Sequence, residues 1–202
     1  MSSHTWRVSV MEYIRAQALP VDKYGHQPRL YALAKTIGRE IDHDDDVVFA
    51  AAWMHDLGVF AGHRPQDPAD LARWNHVPYT IERACELLRG WGFPAAKLHA
   101  VAEAIRTHQP HDEPVTVEAT ILRDADILEQ LGAVGIARAL VKVGRDTRFA
   151  TFSSVMPLLK KALAELPRKL RLPPAKEMAA ARVQILRAFL SALEDEGGEH
   201  LH

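Results

Sequence analysis

The chain predicts an all-α protein, a compact bundle of helices with an additional C-terminal helical segment. Apolar residues recur at spacings of three and four almost throughout, and alternating β-branched runs are scarce. Proline and glycine fall between these periodic stretches rather than within a strand-like pattern. At 202 residues the chain suits one domain spanning 1–202, long enough to bury a substantial core.

Taken in order, the periodicity predicts helices near 4–18, 27–40, 44–56, 76–90, 95–107, 116–130, 133–144, 151–165 and 174–194. The acidic run Asp42-His43-Asp44-Asp45-Asp46 suits the start of the third as a solvated cap, because carboxylates there accept free N–H groups and complement the helix dipole. Gly58 marks its stop, placing His55 and Asp56 in the last turn. His26 falls in the first turn of the second helix, after Tyr24-Gly25. Helix ends hold side chains rigidly while leaving access open. Residues 59–75 read as a long loop of the kind that forms lids or binding surfaces. Pro94 after Gly92 starts a fresh helix, and Pro110 and Pro114 fence a loop behind His108. Residues 146–202 read as a helical tail punctuated by Pro167, Pro173 and Pro174, with a frayed acidic end.

Composition excludes several classes. Apolar residues make up 48% and charged residues 25%, ordinary globular values. A net charge of −1 leaves no footprint for stable nucleic-acid or acidic-membrane binding. One cysteine, Cys85, rules out an internal disulfide framework, fits a reducing compartment and reads as a structural thiol. With no basic-then-apolar leader and no apolar run of spanning length, the expected location is cytoplasmic.

The chemistry concentrates in His26, the doublet His55-Asp56 and a late acidic segment, Asp124-Ala125-Asp126. Imidazole and carboxylate are ligands for a divalent ion, and a His-Asp pair closing an apolar stretch needs a partner or a metal if buried. Asp124 and Asp126 stand two apart on one helix, so they face different directions and cannot share a role. No Gly-rich phosphate loop is present, which leaves a kinase or ATP-driven motor unsupported.

Three ordered segments carry a resemblance: His26-Gln27-Pro28-Arg29-Leu30-Tyr31, then Ala50-Ala51-Ala52-Trp53-Met54-His55-Asp56-Leu57-Gly58, then Asp124-Ala125-Asp126-Ile127-Leu128 with Gly135-Ile136-Ala137-Arg138. Over about residues 20–145 they resemble the HD-domain superfamily of metal-dependent phosphohydrolases, most of all its small standalone bacterial nucleotide hydrolases. That resemblance implies His26, His55, Asp56 and Asp126 as metal ligands, with Asp124 as a cap or a residue orienting a ligand. His76 and His108 fall where some of these enzymes carry extra site residues, implying phosphate contact more than a second ion. Arg138 and Arg29 are candidate phosphate clamps, since guanidinium matches phosphate bidentately; Arg29 could instead orient a ligand carboxylate. His63, His99 and His111 read as solvated or structural, and Arg106 and Arg145 as surface charges.

The implied cofactor is a divalent ion, with Mn, Mg, Fe, Co, Ni and Zn all compatible. The implied activity is hydrolysis of a phosphate ester or anhydride, in a nucleotide, by a metal-activated water, with Asp56 doubling as general base. No Glu follows the doublet within one turn, which sets the chain apart from HD hydrolases that carry an acidic partner there. Nucleoside triphosphate pyrophosphohydrolase activity, an HD-fold diiron oxygenase and a non-catalytic metal-binding regulatory module stay open as alternatives. The expected partner is a small phosphorylated substrate, and a homo-oligomer is compatible with the sequence.

Overall fold

The structure, a computed structural model, describes residues 5–20, 23–145 and 149–201. Among these residues there are ten α-helices, short 3-10 turns and no strand. The chain divides into two compact units, residues 1–123 and 124–202, with the boundary inside helix α7 (Val117–Glu129).

The first unit is built around α3 (Asp45–Met54), whose residues from Val47 to Met54 are all buried. A helix apolar on every face must lie inside a protein. It packs against α1 (Trp6–Gln17), α2 (His26–Ile37) and α6 (Leu98–Arg106), while α5 (His76–Gly90) covers α6. Burying side chains such as Val48, Phe49 and Met54 contributes about 1.5–3 kcal/mol each. Asp44 caps α3 by accepting the Asp46 N–H at 3.0 Å.

The acidic run is not the solvated cap expected from sequence. Arg7 reaches Asp45 at 2.8 Å and Asp46 at 2.7 Å, and Lys97 reaches Asp44 at 2.8 Å and Asp46 at 2.9 Å. The Tyr31 hydroxyl donates to Asp45 at 2.9 Å. Cations from α1 and from the turn before α6 thus neutralise the run, and pairing across such sequence distances leaves no local trace.

Residues 59–75 also hold more structure than expected. Helix α4 (Pro68–Arg73) starts at Asp67, whose carboxylate accepts the N–H groups of Ala69 and Asp70, with Pro68 at the first position. That Asp-Pro pair is a helix-start signal in its own right.

The second unit packs α8 (Gly132–Leu140), α9 (Phe152–Lys169) and α10 (Pro173–Gly197) on one another. Gly132 opens α8 at φ +69°, and a Cβ there would also stand 3.1 Å from Arg182, so glycine is required. α9 runs past the expected stop near 165 to Lys169, because Pro167 in its last turns forfeits a single N–H while Leu166 stays buried. The C-terminal end expected to fray is helical to Gly197 and closes in a 3-10 turn, Gly198–His200. No helix of the described residues is long and apolar enough to cross a membrane.

Candidate metal centre

His26 is the first residue of α2, as its position after Gly25 predicts. His55 caps the C-terminus of α3, and Asp56 follows one residue past it, slightly beyond the last turn where the sequence places them. His76 opens α5, and His108 follows α6. Four elements of the first unit therefore bring five chemistry-bearing side chains to one place.

Their ligand atoms form two groups that share Asp56. His26, His55 and Asp56 each offer an atom within 4.8 Å of the others, and so do Asp56, His76 and His108. The Nε2 atoms of His26 and His55 stand 3.2 Å apart, and Asp56 Oδ2 lies 3.8 and 3.5 Å from them. The other oxygen, Oδ1, lies 3.6 Å from His76 Nε2. Sequence spacing shows no carboxylate accompanying His76 and His108; Asp56 itself is that carboxylate.

The donor set fits a divalent cation. His55 Nδ1–H donates to the Ala52 carbonyl at 3.0 Å and His108 Nδ1–H to the Ile105 carbonyl at 2.7 Å. Tying one ring nitrogen to a carbonyl directs the lone pair of the other, Nε2, into the site, the arrangement that orients metal-binding histidines. His26 and His55 keep 7% and 1% of their side-chain surface, whereas Asp56 keeps 23%, so the cluster is closed behind and open on the carboxylate side. Burial alone would raise the Asp56 pKa. The charge available on His55, His26, His108 and His76 outweighs that effect and holds the carboxyl well below the usual range.

Gly58 governs the approach of α5 to the doublet. Its N–H donates to the Thr80 hydroxyl at 3.0 Å, and its carbonyl accepts the Trp74 indole N–H at 2.9 Å. A Cβ at Gly58 would stand 2.9 Å from Thr80 Oγ1 and 3.0 Å from the His76 backbone oxygen. Thr80 and Trp74 escaped the sequence reading; the glycine two residues past the doublet was the available signal, since it marks close backbone approach as well as a helix stop.

Arg29 is exposed on α2, with Nη1 2.7 Å from where a Gly25 Cβ would stand. Asp126, Asp124 and Arg138 belong to the second unit. There Asp126 accepts from Gln130 Nε2 at 3.1 Å, and Asp124 accepts the N–H groups of Arg171 and Leu172 at 2.9 and 2.8 Å, fastening the turn into α10. Arg138 lies 3.5 Å from the buried Glu129 carboxylate. Half-buried His63 takes a structural place: Nδ1 accepts the Tyr79 hydroxyl at 2.7 Å and Nε2–H donates to Gln17 at 3.0 Å. His99, His111, Arg106 and Arg145 are exposed, and burial raises the pKa of half-buried Cys85, which disfavours its thiolate.

Comparison with known proteins matches this arrangement to a family. The HD domain model matches residues 24–131. Ribonuclease Y of Desulforudis audaxviator is 26% identical over 176 residues, 85% of this chain but 31% of its own length. The chain thus spans about a third of that relative. YpgQ of Bacillus subtilis is 26% identical over 179 residues, covering 85% of this chain and 82% of its own. The crystal structure of YpgQ in complex with ADP is similar in fold at TM-score 0.75 and 23% identity, covering 98% of each chain. An HD-superfamily hydrolase from Bacillus thuringiensis is similar at TM-score 0.69 and 16% identity, covering 96% of each. With more than half its length matched by that family model, and a His-Asp cluster suited to a divalent ion, the chain belongs to the HD-domain family.

Proposed function

We propose that the protein is a metal-dependent phosphohydrolase that cleaves a phosphate ester or anhydride of a nucleotide. The observation that carries this reading is the carboxylate of Asp56 shared by two histidine pairs and still partly exposed. A divalent cation bound there would polarise a phosphoryl oxygen and acidify the attacking water. His26 and His55 supply neutral nitrogens, and Asp56 supplies the negative charge. Asp56 Oδ1 and His76 Nε2, 3.6 Å apart, are placed to receive the proton released in the attack. His108 faces the same carboxylate and, when protonated, offers an N–H to phosphoryl oxygen. Asp126 as a fourth ligand, and Arg29 and Arg138 as phosphate clamps, follow from the family resemblance.

A nucleotide is favoured because YpgQ was crystallised with ADP. The test is a screen for phosphate and pyrophosphate release over nucleoside mono-, di- and triphosphates with Mn²⁺, Mg²⁺, Co²⁺ and Ni²⁺, run beside Asp56→Asn and alanine variants of Asp126, Arg29 and Arg138. Release that needs Asp56 supports the reading, and equal release by Asp56→Asn contradicts it. The shared carboxylate also favours a second reading, since two ions bridged by Asp56 would suit a diiron oxygenase. Oxygen-dependent absorbance of iron-loaded protein, with no phosphate release, would select that alternative.

A further inference from the structure

An open cleft of about 710 Å³ borders the metal centre and includes His76 in its wall. Its volume lies within the roughly 300–1,000 Å³ usual for small-ligand sites. Its lining includes Trp74, Asn75, Gln109 and Asp112, with Val77 and Ile81 contributing apolar surface. We propose that this cleft seats the nucleobase of the substrate, with the Trp74 ring as its stacking platform. This rests on the phosphohydrolase reading, because it assigns the organic end of a molecule whose phosphoryl end lies at Asp56, His76 and His108.

Trp74 is fixed in a way a chance surface tryptophan is not. Its indole N–H is committed to the Gly58 carbonyl at 2.9 Å, two residues from Asp56. The ring leans on Tyr79, with centroids 5.8 Å apart, and Tyr79 is held through His63 to Gln17. A rigid aromatic ring loses little freedom when a base stacks on it. His76 belongs to both the cleft and the metal centre, so a single ligand can occupy both.

The lining also provides polar groups for the edge of a base. Asp112 is half-buried and oriented by the Gln109 N–H, which donates to Oδ2 at 2.9 Å. Asn75 uses Oδ1 to accept the Val77 N–H, which directs its amide nitrogen elsewhere as a donor. Arg106 and His111 also line the cleft, so its charge is mixed; the Asp112 carboxylate is the group suited to accept the amino or imino N–H groups of a base.

The test compares ADP with inorganic pyrophosphate on the full Mn²⁺-loaded chain by calorimetry. Stacking is worth roughly 10- to 100-fold in affinity. Trp74→Ala should weaken ADP by that factor and leave pyrophosphate within about 2-fold, while Trp74→Phe recovers most of the ADP affinity. Separately, ADP should quench tryptophan emission in the wild type, and Trp74→Phe should lose that quench; this decides the matter even if Trp74→Ala fails to fold. Equal weakening of ADP and pyrophosphate, or a quench that survives in Trp74→Phe, would overturn the assignment of the base. If the wild type binds neither ligand, the phosphohydrolase reading fails and takes this inference with it.

Discussion

Asp44, Asp45 and Asp46 at one end of α3 and Asp56 just past the other belong to clusters built for different purposes. At the N-terminus, Asp44, Asp45 and Asp46 sit where the helix dipole favours negative charge, and Arg7 and Lys97 neutralise them with permanent cations. At the C-terminus, Asp56 stands past the end of the helix that disfavours an anion, grouped with four imidazoles. A permanent cation closes a cluster and makes it structural. Neutral imidazoles keep lone pairs available, so the second cluster can take up a cation from solution.

The largest expected effect comes from the C-terminal cluster. His55→Ala should cut divalent-metal affinity by more than the roughly 10–100-fold that loss of a group merely orienting a ligand costs, measured by calorimetry with Mn²⁺. Unchanged affinity would erase the distinction between the two ends. At the other end, Arg7→Ala should leave metal affinity intact and lower stability by about 1–3 kcal/mol, as expected when charged hydrogen bonds are lost, read from denaturant unfolding. If Arg7→Ala also releases metal, the ends are not independent.

Much of this contrast was legible in the sequence and part was not. The buried run Val47–Met54, the cap at Asp44 and the placement of His26 and His55 at helix ends all follow from local spacing. The partners of the acidic run did not, because Arg7 and Lys97 lie 39 and 51 positions from Asp46. Asp56 as the carboxylate shared with His76 and His108 was hidden for the same reason: convergence of α3, α5 and α6 is a property of packing, not of periodicity. Helix α4 was locally marked by Asp67-Pro68 but is too short for apolar spacing to register.

Asp124 extends the comparison to a third carboxylate, satisfied by backbone N–H groups instead of side chains. Asp124→Asn should destabilise by about 1–2 kcal/mol with metal affinity unchanged; a loss of metal would give it a part in the centre.

The smallest effects concern pH. Metal binding needs neutral imidazoles, so Mn²⁺ affinity should fall on acidification. Asp46, whose pKa Arg7 and Lys97 lower, contributes stability that is present above about pH 3.9 and lost as pH falls toward its folded value. Burial likewise lowers the pKa of His63, so its contribution is full above about pH 6.5 and declines on acidification. His63→Gln should flatten the stability profile between pH 5 and 7, and an unchanged slope would show that His63 titrates alike folded and unfolded.

The most direct measurement is anomalous diffraction from Mn²⁺-soaked crystals at the manganese edge. A peak is expected about 2.0–2.3 Å from Nε2 of His26, Nε2 of His55 and an oxygen of Asp56. A strong peak lodged among Asp44, Asp45 and Asp46, with none at His26, His55 and Asp56, would contradict that expectation.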